Sequence, residues 1–197
     1  MNKLTKTIAG VIALSVMLKT TVLVAETQMN GTHAIEFEQE LFSKEQNPEA
    51  YCLALNIYYE SRSDNLAGMA AVSDVVLNRV ESTVYPNTVC DVIKQAKMKE
   101  SWKTKQFPEL HDSERKYIPI RNKCQFSWFC DGKADEPASG DSWNKAQTIA
   151  YRMLENDYLR GIAEGATHYH ATYVDPKWND DMLLVGRIGL HIFYVQR

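Results

Sequence analysis

Apolar residues recur at helical spacing in the segment 49–62. Leu53, Ile57 and Glu60 follow one another at i, i+4 and i+7, which predicts one face of an amphipathic helix. Glu60 therefore lies on the apolar side of that helix, near its C-terminal end. A carboxylate in this position needs an explanation, because charged side chains normally lie on the solvent side of a helix.

Two further helices are predicted in the next part of the chain. The first runs from about residue 65 to residue 80 with a broad apolar face, and we expect Ser63 and Asp64 to supply its capping side chains. Thr88 is placed to cap a third, short helix that continues through Gln95.

The pattern changes after residue 95. Residues 96–123 are rich in Lys, Glu, Asp and isolated aromatic residues, which predicts a long surface loop around a cleft. Ser142 is expected to cap a helix with a regular apolar stripe. Residues 167–172 and 183–195 predict short strands. The fold class is therefore α+β, a helical core with a small antiparallel β-sheet toward the C-terminus.

Residues 1–25 have the order of a secretory signal peptide. They begin with Lys3 and Lys6, continue through an apolar run over residues 8–18, and reach a small residue at Ala25. The alternative is an uncleaved membrane anchor, for which the run is short, since a span needs about 20 apolar residues. We expect export to the periplasm or the extracellular space, or anchoring to the inner membrane if the segment is retained.

Composition fits one folded domain, predicted over residues 49–197 after a polar, acidic linker at 26–48. The 197-residue chain is 45% hydrophobic and contains 10 Tyr, 6 Phe and 4 Trp, which excludes a largely disordered protein. Its net charge of −3 argues against a nucleic-acid partner, which would favour a basic excess.

The four cysteines are expected to form two disulfides if the protein is exported. Cys124 and Cys130 are spaced for a short clip across an aromatic segment, which leaves Cys52 to pair with Cys90. Free buried thiols are the alternative. A zinc site is less expected, because no two cysteines have the spacing of two to four residues typical of such sites.

Glu60 is the strongest candidate for chemistry. Burial and the negative end of the helix dipole both disfavour a charged carboxylate, so we expect a raised pKa if Glu60 lines a cleft. A raised pKa suits a general acid. Arg62 could oppose this shift, although two positions along a helix it points elsewhere. The alternative is an ordinary salt-bridged residue at a helix end.

Five ordered segments resemble the SleB/CwlJ cell wall hydrolase family. They are YYESR at 58–62, GMAAVSDVVLNRV at 68–80, YPNTVCDVI at 85–93, CQFSWFCDG at 124–132, and YH at 169–170 followed by VDPKW at 174–178. The resemblance covers most of the predicted domain. It implies a lysozyme-like helical core, cleavage of peptidoglycan glycan strands without a cofactor, and Glu60 as the catalytic acid.

The resemblance implies one of two reactions. A lytic transglycosylase cleaves between N-acetylmuramic acid and N-acetylglucosamine and needs only Glu60. A hydrolase needs a second carboxylate about 5 to 9.5 Å away. Asp131 is the candidate for that second group, although Asp131-Gly132 also has the composition of a turn.

Six residues are predicted to bind substrate. Aromatic faces and polar side chains suit carbohydrate, whereas Phe126 and Phe129 are expected in the core. The candidates are Gln125, Ser127, Trp128, Asp131, His170 and Trp178. The family resemblance carries His170, whereas Trp178 is either a cleft wall or a core residue.

Two other functions stay open. His168 and His170 would share one face of a strand, and with His191 they could bind zinc in a peptidoglycan amidase or peptidase. The chain could also be a wall-binding module without catalysis. In each case peptidoglycan is the expected partner, and a membrane is a partner only if the N-terminal segment is retained.

Overall fold

Three long helices, two of them consecutive, build the core of the described part of the chain. The computed structural model describes residues 43–197, in which α1 spans Pro48–Ser61 and α2 spans Leu66–Glu81. Asn47 caps α1 by accepting a hydrogen bond from the backbone N–H of Ala50. The helix predicted from its apolar spacing is thus confirmed.

The cap of α2 differs from the prediction. Asn65, rather than Ser63 or Asp64, accepts the hydrogen bond from the backbone N–H of Gly68. The Asp64 carboxylate instead accepts hydrogen bonds from the backbone N–H groups of Asn65 and Leu190. Asp64 therefore joins the start of α2 to the C-terminal part of the chain.

The middle of the chain contains more regular structure than predicted. The elements are α3 (Val89–Ile93), β1 (Ala96–Glu100), α4 (Trp102–Lys105) and β2 (Tyr117–Cys124). Thr88 caps α3 as predicted. The prediction of a long surface loop over residues 96–123 missed the pairing of β1 with β2 in an antiparallel sheet. Most side chains of both strands are exposed, so the sequence lacks the alternation that marks a half-buried strand.

The next helix, α5 (Asp141–Asn156), packs against α1. Its N-cap is Gly140, with no side-chain hydrogen bond, and Ser142 lies inside the first turn. The predicted cap was therefore wrong. The predicted apolar stripe was right, since Ala146, Ile149 and Met153 are all buried.

The C-terminal sheet confirms the predicted α+β fold class. It contains β3 (His168–Ala171), β4 (Met182–Ile188) and β5 (His191–Gln196), antiparallel in the order β3-β5-β4. Phe193 of β5 is fully buried in a cluster with Val72 and Val75 of α2. The sheet is thereby fixed against the helical core.

Both predicted disulfides are present. Cys52–Cys90 joins α1 to α3, and Cys124–Cys130 brackets a short 3-10 helix, Ser127–Cys130. The predicted signal peptide and most of the predicted linker lie outside the described residues. Within residues 43–197, no helix has the length and apolar character needed to cross a membrane.

Candidate active site

A polar cleft of about 420 Å³ lies where α1 and α2 meet the C-terminal sheet. Side chains from α1, α2, β3 and β5 line it, together with the segment enclosed by the Cys124–Cys130 disulfide. Five of the seven predicted site residues are among the lining residues. They are Glu60, Gln125, Ser127, Trp128 and His170.

Glu60 lies in the last turn of α1 and lines the cleft. Burial raises the pKa of its carboxyl group, and a hydrogen bond of 3.4 Å from the Tyr169 hydroxyl to Oε2 works in the opposite direction. The predicted direction of the shift is confirmed. Arg62 donates to the carbonyl of Tyr58 and stacks on the Tyr58 ring, so it does not engage Glu60.

An aromatic wall stands beside Glu60. Trp128 stacks on Tyr59 with 4.9 Å between ring centroids, and its indole N–H donates to Oδ1 of Asn56 at 3.2 Å. Trp128 is only 8% exposed, so it shapes the wall more than it offers a free face. Tyr59, which is not among the predicted site residues, is the other ring of this stack and also lines the cleft.

A buried cation, Arg79 of α2, lines the cleft. Its Nε donates to the carbonyl of Thr167 at 2.8 Å, and burial lowers the pKa of its guanidinium. Gln125, with its amide oxygen turned toward Arg79, accepts from Nη1 and Nη2 at 3.1 Å each. Arg79 was missed, although its place on the apolar stripe of α2 with Val72 and Val76 was a usable signal.

The histidines are arranged differently from a metal site. His170 has partners at both ring nitrogens, the carbonyl of Ala171 at 2.9 Å and the hydroxyl of Tyr194 at 3.0 Å. His191 contacts a carboxylate oxygen of Asp64, and His168 is not among the cleft-lining residues. Among residues 43–197, no group of three or more His, Cys, Asp or Glu side chains is placed to hold a metal ion. The geometry therefore gives the zinc alternative no support.

Two predicted residues do not line the cleft. The Asp131 carboxylate accepts from the backbone N–H of Lys133 at 2.8 Å and pairs with the Lys133 ammonium, and the backbone hydrogen bond is the main cause of its lowered pKa. These contacts agree with the turn interpretation of Asp131. Trp178 packs edge-on against His170 and Tyr194, behind the cleft lining.

Tyr169 and Tyr173 line the cleft but were not predicted. Alternation along β3 placed Tyr169 on the face opposite His170, yet both side chains reach the cleft. Tyr169 carries the only side-chain hydrogen bond to Glu60 within the described part of the chain. A carboxyl group with a raised pKa in a polar cleft is typical of sites that carry out acid–base chemistry.

Comparisons with known proteins agree with this class of site. The family model described as Cell Wall Hydrolase matches residues 63–194, about two thirds of the chain. The chain therefore belongs to the cell wall hydrolase family, as the sequence resemblance indicated. The match begins just after Glu60, so the role of Glu60 stays a prediction.

Two solved structures are similar to the chain. One is the catalytic domain of the germination-specific lytic transglycosylase SleB from Bacillus anthracis, with 24% sequence identity and a TM-score of 0.47 over 75% of this chain and 93% of that chain. The other is the catalytic domain of the Bacillus cereus SleB protein, with 25% identity and a TM-score of 0.47 over 75% of this chain and 91% of that chain. No curated protein sequence matches the chain.

Proposed function

We propose that this protein cleaves the glycan strands of peptidoglycan as a lytic transglycosylase, with Glu60 as its single catalytic acid. One observation carries the proposal. Among the described residues that line the cleft, Glu60 is the only carboxylate, and burial raises its pKa. A carboxyl group that holds its proton closer to neutral pH can act as a general acid.

The chemistry needs one carboxyl group in two roles. Protonated Glu60 donates its proton to the glycosidic oxygen between N-acetylmuramic acid and N-acetylglucosamine, while positive charge develops on the muramoyl ring. The resulting Glu60 carboxylate then takes the proton of the muramoyl C6 hydroxyl. The C6 oxygen bonds to C1, which leaves a 1,6-anhydro product and returns Glu60 to its acid form.

The surroundings of Glu60 favour this route over hydrolysis. An inverting or retaining hydrolase needs a second carboxylate at the cleft. Asp131, the predicted second carboxylate, is not among the lining residues and is engaged by Lys133. We assign Gln125, Ser127 and the ring of Tyr59 to the sugar-binding wall of the cleft.

The proposed substrate lies outside the cytoplasm. Membership of the cell wall hydrolase family implies extracytoplasmic action on peptidoglycan. We propose that residues 1–25 direct export to the periplasm or the extracellular space, because their order of charged, apolar and small residues is that of a signal peptide.

The test is mass spectrometry of purified peptidoglycan digested with the wild type, Glu60→Gln and Asp131→Asn. We expect anhydromuramoyl fragments from the wild type and from Asp131→Asn, and a loss of about 100-fold or more in Glu60→Gln. Reducing muramoyl ends that disappear in Asp131→Asn would establish hydrolysis instead. Released stem peptides would contradict glycan cleavage, and an inactive wild type that still sediments with peptidoglycan would indicate a binding module.

A further inference from the structure

A buried carboxylate, Asp64, lies where the α1–α2 connection meets the turn between β4 and β5. Its side chain is 2% exposed and packs between Gly68 and Gly189, where a Cβ at either glycine would collide with the carboxylate. Two hydrogen bonds come from backbone N–H groups, those of Asn65 at 2.7 Å and Leu190 at 2.9 Å. The site is therefore shaped around this one carboxylate.

The third contact of Asp64 is with the first residue of β5. Nδ1 of His191 lies 3.3 Å from Oδ2 of Asp64. An ionised carboxylate only accepts hydrogen bonds, so Nδ1 of a neutral His191 carries the ring proton and Nε2 carries the lone pair. Asp64 thus fixes the tautomer of the imidazole.

The second ring nitrogen of His191, Nε2, is available to accept a hydrogen bond. The ring lines the same cleft as Glu60, and Nε2 has no hydrogen-bond partner within residues 43–197. His170, the other histidine of the lining, differs because both of its nitrogens are already bonded. Of these two imidazoles, only His191 has an acceptor left for a ligand.

Tyr169 contacts both His191 and Glu60. The ring of Tyr169 meets His191 edge-on with 5.2 Å between centroids, while the hydroxyl of Tyr169 reaches Glu60. Because both residues line the same cleft and contact the same tyrosine, a glycan strand bound there can contact both.

We propose that His191 is a substrate-binding residue whose Nε2 accepts a hydrogen bond from a hydroxyl or acetamido N–H group of the bound glycan. Asp64 is its positioning residue, because it holds the ring and sets the tautomer. This inference rests on the proposed function and adds to it an acceptor that the single-acid mechanism does not use.

Substrate binding through Nε2 of His191 should weaken at low pH, where the imidazole becomes protonated. Burial is the main cause that lowers the pKa of His191; nearby His170 adds to this, while Asp64 opposes it. Tyr169 is the remaining titratable group that packs on the ring, and burial keeps its hydroxyl protonated. Near neutral pH His191 is therefore an acceptor, and protonation at lower pH turns Nε2 into a donor.

The first test compares His191→Leu and His191→Gln with the wild type on purified uncrosslinked glycan strands. Loss of one neutral hydrogen bond predicts that KM rises about tenfold in His191→Leu while kcat changes less. His191→Gln keeps an acceptor that does not titrate, so it should retain a lower KM and lose the rise in KM below neutral pH. The matched control is His168→Leu, a histidine outside the lining, which should leave KM unchanged.

The second test addresses Asp64. Asp64→Leu removes the carboxylate oxygen that accepts from Nδ1, so the ring proton of His191 is no longer held on Nδ1. We expect nitrogen NMR to report the Nδ1–H tautomer in the wild type and mainly the Nε2–H tautomer, which free histidine prefers, in Asp64→Leu, with a KM as high as that of His191→Leu. A purely structural role for Asp64 would leave the tautomer unchanged.

The outcomes separate the two proposals. A wild-type KM in His191→Leu, or an Nε2–H tautomer in the wild type, would overturn the role of His191 and leave glycan cleavage by Glu60 intact. A wild type that releases no glycan fragments would overturn the proposed function. The tautomer measurement does not depend on activity, so it still tests the Asp64–His191 pair in that case.

Discussion

The hydroxyl of Tyr169 donates a hydrogen bond to Oε2 of Glu60, and the two residues lie 109 positions apart in the sequence. The bond stabilises the charged carboxylate, while burial favours the neutral acid. The pKa of Tyr169 itself is raised well above its usual value, first by burial and then by Glu60, so the hydroxyl keeps its proton. Tyr169 thus limits how far burial raises the pKa of Glu60.

Replacing Tyr169 should therefore move the pH profile of the enzyme. In the proposed mechanism glycan cleavage needs protonated Glu60, so activity should be lost as pH rises through the pKa of Glu60. Tyr169→Phe removes the bond that lowers this pKa, and the alkaline limb of kcat/KM should shift to higher pH. The profile is measured by release of anhydromuramoyl fragments. Tyr173→Phe is the control, because Tyr173 lines the cleft without a hydrogen bond to Glu60 within residues 43–197; a shift to lower pH in Tyr169→Phe would contradict the assignment.

Burial of the Glu60 carboxyl group also predicts that Glu60→Gln is more stable than the wild type near neutral pH. The folded-state pKa of Glu60 is raised, so the native state binds the proton more tightly than the unfolded state. The stabilisation that this group confers is fully present below its pKa in the unfolded state, and it is lost as the pH rises through its pKa in the folded state. The loss is about 1.4 kcal/mol for each pH unit by which the folded pKa exceeds the unfolded pKa. Glu60→Gln removes that loss.

Thermal unfolding of Glu60→Gln and the wild type should therefore show a higher Tm for the variant at pH 7. The difference should shrink as the pH falls below the unfolded pKa, where both side chains are neutral. Equal Tm values at pH 7, or a difference that grows in acid, would show that Glu60 ionises in the fold without cost. Glu155→Gln, on an exposed position of α5, is the control and should match the wild type at both pH values.

Local sequence rules predicted the three long helices because each encodes its own apolar stripe, whereas the four-residue helix α4 was missed. The spacing of Leu53, Ile57 and Glu60 was enough to place α1 and to put Glu60 on its buried side. The β1–β2 pair was missed for the opposite reason. Side chains on both strands are mostly exposed, so no period distinguishes these strands from a loop.

The rest of the site depends on contacts between distant parts of the chain. Arg79 binds the carbonyl of Thr167 and His191 binds Asp64, across 88 and 127 positions. The apolar stripe of α2 indicates that Arg79 is buried, but no local pattern identifies the partner of either residue. The three histidines did stand out in the sequence, but the carboxylate that engages His191 could be recognised only in the fold.

The two disulfides should differ in what they stabilise. Cys52–Cys90 closes a loop of 38 residues and Cys124–Cys130 a loop of 6. The chain-entropy model gives about 4 kcal/mol for the longer loop and about 2 kcal/mol for the shorter one. The shorter loop, however, contains Gln125, Ser127 and Trp128, which line the cleft.

Paired substitutions to Ala separate these effects. Cys52→Ala with Cys90→Ala should lower the free energy of unfolding by the larger amount, measured by urea denaturation. Cys124→Ala with Cys130→Ala should cost less stability but raise KM for glycan strands more. If the double variant Cys124→Ala with Cys130→Ala left KM unchanged, the Cys124–Cys130 disulfide would not be needed to position the cleft-lining residues.

A buried ion pair supports the strand that carries Tyr169. The carboxylate of Asp74 on α2 is fully buried and pairs with Arg160, and it also accepts from the backbone N–H groups of Gly161 at 3.1 Å and Ala163 at 2.9 Å. This segment leads directly into β3. Asp74 therefore fixes the segment that precedes β3, the strand whose Tyr169 lines the cleft.

Asp74→Asn leaves the Arg160 guanidinium without its buried partner and should lower the free energy of unfolding by about 3 kcal/mol. Glu81→Gln is the matched control, since Glu81 binds the same guanidinium at 2.7 Å from an exposed position, and its loss should cost less than about 1 kcal/mol. Both values are measured by urea denaturation at neutral pH. Equal losses of unfolding free energy in the two variants would mean that the buried ion pair of Arg160 with Asp74 contributes no more than its exposed ion pair with Glu81. Asp74 would then not be the residue that fixes the segment before β3.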